Sequence, residues 1–138
     1  MERVIAFQYQ LRTKDSSLLE QLKPHTYKPS MNEATVSHSL YSTDEDLTLV
    51  ISYRMYQSEE PLDLERFCVP INQWLQRQSL LALVIKAEVI QTYKTGLIRL
   101  PVPLDNHRAQ LCGLNDQLNA KVIEADAFIG GTCQCAII

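Results

Sequence analysis

The sequence predicts an α+β fold: an antiparallel or mixed β-sheet with one main amphipathic helix packed across it and a long polar arm. Three observations carry that expectation. Two stretches alternate apolar and polar residues with period two, as half-buried strands do: Ile5-Phe7-Tyr9-Leu11 and Leu47-Leu49-Ile51-Tyr53-Met55. One stretch, Leu62 to Gln78, repeats apolar residues at three- and four-residue steps through Leu64, Phe67, Cys68, Ile71, Trp74 and Leu75, the buried face of a helix. Between them, residues 24–45 are polar and punctuated by Pro24 and Pro29, which reads as a long loop or arm. The chain of 138 residues is read as one domain, 1–138, long enough to bury a single core.

In chain order, a first strand ends near Leu11, and Asp15-Ser16-Ser17 is placed to cap a short helix, "SLLEQLK", that Pro24 stops. The strand "DLTLVISYRMYQ" follows the polar stretch, with Thr48, Ser52 and Arg54 on its second face. Ser58-Glu59-Glu60-Pro61 then opens the main helix, acidic side chains suiting its positive end and proline its first turn. "LLALVIKAEVIQTY" reads as a strand buried at its apolar start and exposed toward Lys86 and Glu88, and Lys94-Thr95-Gly96 as a turn. "GLIRLPVPLD" sets Ile98, Leu100, Val102 and Leu104 on one face; Pro101 and Pro103 cannot donate to a ladder, so this strand belongs at a sheet edge. Residues 105–119 read as a polar loop or short helix, and "AKVIEADAFIGG" as strand or helix.

Pro70 inside the main helix is a contradiction, because a proline there removes a backbone hydrogen bond and crowds the preceding turn, at roughly 3 kcal/mol. It is tolerable if its ring faces solvent at a bend, or if the helix begins at Pro70 after an irregular turn. Trp74 is then the anchor between helix and sheet, burying on the order of 200 Å².

No residue pattern points to catalysis. The net charge of −3 gives no basic footprint for nucleic acid, and the densest charge runs, Asp44-Glu45-Asp46 and Glu59-Glu60, are acidic. His25, His38 and His107 lie in polar stretches away from any nucleophile in a catalytic setting, and the acidic pairs read as solvated turns. Gly130-Gly131-Thr132 lacks the lysine and flanking elements of a phosphate loop. Trp74 with Tyr53, Tyr56 and Tyr93 suits a core better than a base-stacking platform, there being no cationic partners. Cys68, Cys112, Cys133 and Cys135 read as reduced, partly buried thiols; the spacing with His107 offers no C-x-x-C pair to anchor zinc. Cys135-Ala136-Ile137-Ile138 has the C-a-a-X form, but its upstream flank is acidic and apolar rather than polybasic. No run of about 18 apolar residues suggests a membrane helix, and "MERVIAFQYQLR" has no h-region, so synthesis in the cytosol is expected.

The order of strand, acidic turn, helix and paired strands carries one further signal. Val69-Pro70-Ile71-Asn72-Gln73-Trp74-Leu75 has a hydrophobic-Pro-x-x-x-Trp-Leu pattern, preceded by "LTLVISY" and Leu62-Asp63-Leu64 and followed by "GLIRLPVPL". In this order and spacing, over about residues 45–105, the chain resembles the tail completion protein R (tail terminator) family of contractile-tailed temperate bacteriophages. Leu104-Asp105-Asn106-His107-Arg108 departs from the Leu-Thr-Glu-Arg-like ending of that family's strand, and the first forty residues and the cysteine-containing tail lie outside the match. The resemblance implies a non-enzymatic virion protein of the tail and neck, assembled in the host cytoplasm, with no cofactor or metal. Its partners would be itself, as a hexameric ring, the tail tube, and neck or connector proteins, without membrane or sequence-specific nucleic-acid contacts. On that reading the edge Leu97 to Leu104 and the arm Pro24 to Asp44 are the inter-subunit surfaces. Arg54, Glu59, Glu60, Arg99, Pro101 and Pro103 are then the expected subunit or tube contacts, with Pro70 and Trp74 as core anchors. The competing expectation is a small cytosolic α+β adaptor or immunity-type protein-binding domain.

Overall fold

The computed structural model describes residues 2–29, 34–56, 62–93 and 96–126. Strand β1 (Glu2–Leu11) leads through α1 (Leu18–Leu22) and a 3₁₀ turn (Lys23–His25) to strand β2 (Thr35–Ser42), which turns into β3 (Leu47–Tyr56). Helix α2 (Leu64–Arg77) and a second 3₁₀ turn (Leu81–Leu83) precede β4 (Val84–Tyr93), β5 (Gly96–Pro101) and α3 (Arg108–Asp126). The five strands form one antiparallel sheet in the order β2-β3-β1-β4-β5. The first four follow the split β-α-β arrangement, β1-α-β2-β3-α-β4, with β5 and α3 added beyond it.

Period-two alternation places the core. Ile5, Phe7, Tyr9 and Leu11 of β1, Leu47, Leu49, Ile51, Tyr53 and Met55 of β3, and Val89 of β4 are buried on one face, against Leu64, Phe67, Cys68, Ile71, Trp74 and Leu75 of α2. Both alternating runs and the inward helix stripe therefore stand as expected. Phe67 stacks on Phe7 with centroids 5.4 Å apart and meets Tyr27 and Tyr53 edge-on at 4.9 and 4.7 Å. These are the favoured aromatic geometries, and they fix where α2 sits on the sheet.

Several elements differ from the sequence expectation. Residues 24–45 are not a loop throughout: they include the edge strand β2, whose inward side chains are Val36, His38, Leu40 and Ser42. A histidine and a serine among the inward positions, and serines among the outward ones, blur the apolar alternation. α1 ends at Leu22, ahead of Pro24 as expected, though the chain keeps turning through a 3₁₀ turn, Lys23–His25, that contains the proline. Asp15 accepts from the Ser17 amide at 3.1 Å and the Ser17 hydroxyl, bracing the approach to α1 rather than capping it. The main helix begins after Asp63, whose side chain accepts from the Glu65 amide at 3.1 Å. Ser58, Glu59, Glu60 and Pro61 lie outside the described residues, as do Lys94 and Thr95 of the expected turn. β4 is exposed at its start, around Ile85 and Lys86, and buried later, at Val89, Ile90 and Gln91. A bulge opposite Gln10 and Leu11 turns that start out of the core.

α2 runs unbroken through Pro70, so the helix neither begins at the proline nor ends there. Pro70 is only half-buried, on the flank of the inward stripe, whereas Trp74 is 1% exposed beneath it and stacks on His25 with centroids 6.5 Å apart. Trp74 is thus the core anchor expected, and Pro70 is a flank residue rather than an anchor.

The stretch 105–119 belongs largely to α3, a second long helix of 19 residues. Its inward stripe is Leu111, Leu114, Asn115, Leu118 and Asn119, steps of three and one that keep one helical face on the core. All three helices pack on the face that bears the core, as their buried residues and contacts show, and no described helix covers the other face.

Candidate functional site

Two asparagines of α3 hold the chain where α2 begins. Asn119 Oδ1 accepts from the Leu62 amide at 3.0 Å, and its Nδ2 donates to the Leu62 carbonyl at 3.0 Å. Asn115, one turn earlier, accepts from the Leu64 amide at 2.7 Å. Arg3 of β1, also buried, donates to Asn119 Oδ1 at 3.0 Å, and Gln91 of β4 donates to the Leu118 carbonyl at 3.2 Å. Among the described residues no carboxylate pairs with Arg3, and burial lowers its guanidinium to about 10. A second buried knot surrounds Asn72 in α2. It accepts from the Tyr9 hydroxyl at 3.2 Å and donates to the Pro103 carbonyl at 2.9 Å and to Asn106 Oδ1 at 2.7 Å. Both knots tie helix to sheet through bonds within the chain, so they are structural chemistry. The Cys68 thiol, pushed up to about 12 by burial, is protonated and inert at neutral pH.

Among the described residues, the outward sheet face and its two edges carry no helix. The register lines up Thr35, Arg54, Val4, Thr92 and Leu97 in one row across the five strands. The next rows are Ser37, Ser52, Ala6, Ile90 and Arg99, then Ser39, Val50, Gln8, Glu88 and Pro101. Short hydroxyl side chains fill the β2 side, and the charged residues stand toward β4 and β5, where Arg99 and Lys86 meet Glu88 at 3.4 and 3.5 Å. Val50 and Ile90 are buried, while Tyr41 and Leu97 are 61% and 52% exposed.

The two edges are chemically unequal. On β5, the Val102 amide donates to the Ala87 carbonyl at 3.0 Å, which fixes the antiparallel alternation: Leu100 and Ile98 face β4, and Leu97, Arg99 and Pro101 turn their backbone outward. Pro101 has no N–H to offer there, so the free edge of β5 carries donors only at Leu97 and Arg99. On β2, the Thr43 amide donates to the Asp46 carbonyl at 2.9 Å, so Thr35, Ser37, Ser39 and Tyr41 face β3. Val36, His38, Leu40 and Ser42 then turn both N–H and C=O to the free edge, and β2 contains no proline. No backbone bond from another described segment meets those groups.

The expected contact residues divide accordingly. Arg54 and Arg99 lie exposed on the outward face, three strands apart, and Pro101 on the β5 edge. Pro103 is half-buried with its carbonyl held by Asn72, so it braces the loop after β5. Glu59 and Glu60 lie outside the described residues. The sequence hides the β2 edge, because the polar residues 24–45 read as an arm. Cys112 is disulfide-bonded, which corrects the expectation of a reduced thiol for that residue; Cys133 and Cys135 lie outside the described residues. His38 Nε2 is 3.0 Å from the Thr26 hydroxyl, and burial and then Lys23 and Lys28 hold its imidazole below the ordinary range, a structural contact between β2 and the 3₁₀ turn. Among the described residues no His, Cys, Asp and Glu cluster is arranged to hold a metal, and no helix is long and apolar enough to cross a membrane. No family model matches the chain, and no curated protein or solved structure is detectably similar to it.

Proposed function

We propose that this chain is a non-enzymatic structural subunit, a tail terminator that caps a phage tail tube as a ring and joins it to the neck. The single observation behind the reading is the placement of the Val69–Leu75 pattern. It lies in α2, with Trp74 inward against a sheet whose β3 precedes it and whose β4 and β5 follow it. That is the order the resemblance requires. The outward sheet face, bare of any described helix, supplies a broad surface for assembly contacts. Arg54 and Arg99 on that face are the side chains assigned to tube or subunit contact, and the virion tail and neck are the proposed location. The test is electron microscopy of the purified full chain mixed with tail tubes of a contractile-tailed temperate phage. Rings on tube ends support the reading. Protein that never associates with tube ends defeats it and leaves the adaptor reading, which the same face, hydroxyl-rich on its β2 side, also favours.

A further inference from the structure

We infer that β2 is a self-association edge: two copies pair β2 against β2, antiparallel, across a two-fold axis at Ser39, merging their sheets. The inference is independent of the tail-cap reading and starts from the inequality of the two edges. An edge strand is normally blunted by proline, by charge or by a bulge, because its unpaired backbone groups template another strand. β5 carries such a block at Pro101. β2, eight residues long, has none: no proline, no bulge in its pairing with β3, and no Lys, Arg, Asp or Glu.

The occupant follows from the register. The free groups belong to Val36, His38, Leu40 and Ser42. With Ser39 on the two-fold axis, Val36 of one copy opposes Ser42 of the other, and His38 opposes Leu40. Every free N–H and C=O on both strands then finds its counterpart. Shifting the axis to His38 leaves Ser42 unmatched, so the Ser39 register is the one that satisfies the edge. On the outward face the same register sets Tyr41, the most exposed large hydrophobic side chain among the described residues, opposite Ser37 of the other copy, a large side chain over a small one. Since the strand is uncharged, two copies of a chain with net charge −3 meet here without like charges directly opposed on it. The dimer is complete by itself; a ring of six built on this two-fold contact would have dihedral symmetry, whereas a cyclic ring closes through head-to-tail contacts made elsewhere on the surface.

The register makes the test specific. Ser39 would oppose Ser39 as a pair without backbone hydrogen bonds, with Cα atoms about 4.5 Å apart, inside the range a disulfide spans. Ser39→Cys in the full chain, mildly oxidised, is expected to give a covalent dimer. Mass spectrometry of its digest should find the new thiol of one copy linked to the same position of the other. Ser37→Cys is the control: its own counterpart lies about 13 Å away along the strand, so it should not link to itself. Ser39→Lys keeps an outward side chain on the bare face and sets two cations against each other. Its dimer is expected to dissociate about five-fold more readily in sedimentation velocity. Wild type that sediments as a monomer at all concentrations, or Ser37→Cys linking as readily as Ser39→Cys, would overturn the inference.

Discussion

The side chain of Asn119 closes both hydrogen bonds of Leu62's backbone, accepting from its N–H and donating to its C=O, each at 3.0 Å. One amide of α3 thus stands in for a β-ladder partner at the start of α2, while the same Oδ1 also takes the Arg3 guanidinium at 3.0 Å. Asn119→Ala would leave two buried backbone groups and a buried cation without that partner. The expected cost is about 3 kcal/mol of unfolding free energy, read from urea titration. A loss under about 1 kcal/mol would mean that water replaces the amide and that the helix is not fastened there.

Asn72 makes the second fastening. Asn72→Ala would strip the Tyr9 hydroxyl and the Pro103 carbonyl of their partner in a buried site, so about 2 kcal/mol is expected to be lost. Tyr9→Phe removes only the donor and should cost about 1 kcal/mol. The ordering of the two variants in the same denaturation assay is the check, because reversed costs would place the energy in Tyr9 rather than in the three-way knot.

Pro70 sits inside a continuous helix without an N–H for the turn before it. Its ring is half-buried, so substitution surrenders some packing. Pro70→Ala is expected to raise stability by about 1 kcal/mol, the restored helical bond and better propensity outweighing the loss of a rigid residue in the unfolded chain. A destabilised variant would show that the ring's contacts are worth more than the helix bond.

Alkaline pH should unfold the protein earlier than a surface-only account allows. Burial raises the Cys68 thiol from 9.0 to about 12 and raises Tyr9 and Tyr53 above 10.0. All three are raised in the folded state. Their contribution is therefore complete below pH 9, and it falls as the unfolded chain gives up protons that the folded chain keeps. Arg3, lowered to about 10, works in the opposite sense, but only above pH 10 and as one group against three. The melting temperature should hold steady from about pH 7 to about 9 and then decline, and Cys68→Ala should shrink the early part of that decline. An unchanged profile in Cys68→Ala would remove the thiol from the account.

What the sequence showed, and what it hid, both follow from side-chain chemistry. β1 and β3 were legible because every inward position from Ile5 to Leu11 and from Leu47 to Met55 is apolar. The β5 edge was legible through Pro101, whose missing donor falls on the solvent side. α3 was obscured because Asn115 and Asn119 stand among its inward positions, and they count as polar until their bonds to Leu64 and Leu62 are known. β2 was obscured for a similar reason: His38 takes an inward place and bonds Thr26, so the strand reads as a polar loop. Both misreadings concern polar residues satisfied by contacts distant in sequence, which no local pattern reveals.

The most direct test of the account is the mass of the full chain in solution, by native mass spectrometry with negative-stain imaging of the same fraction. The expected result is an assembly of six subunits closed into a ring. A dimer and nothing larger, with or without tail tubes present, would keep the β2 pairing and contradict the ring; a monomer at every concentration would contradict both.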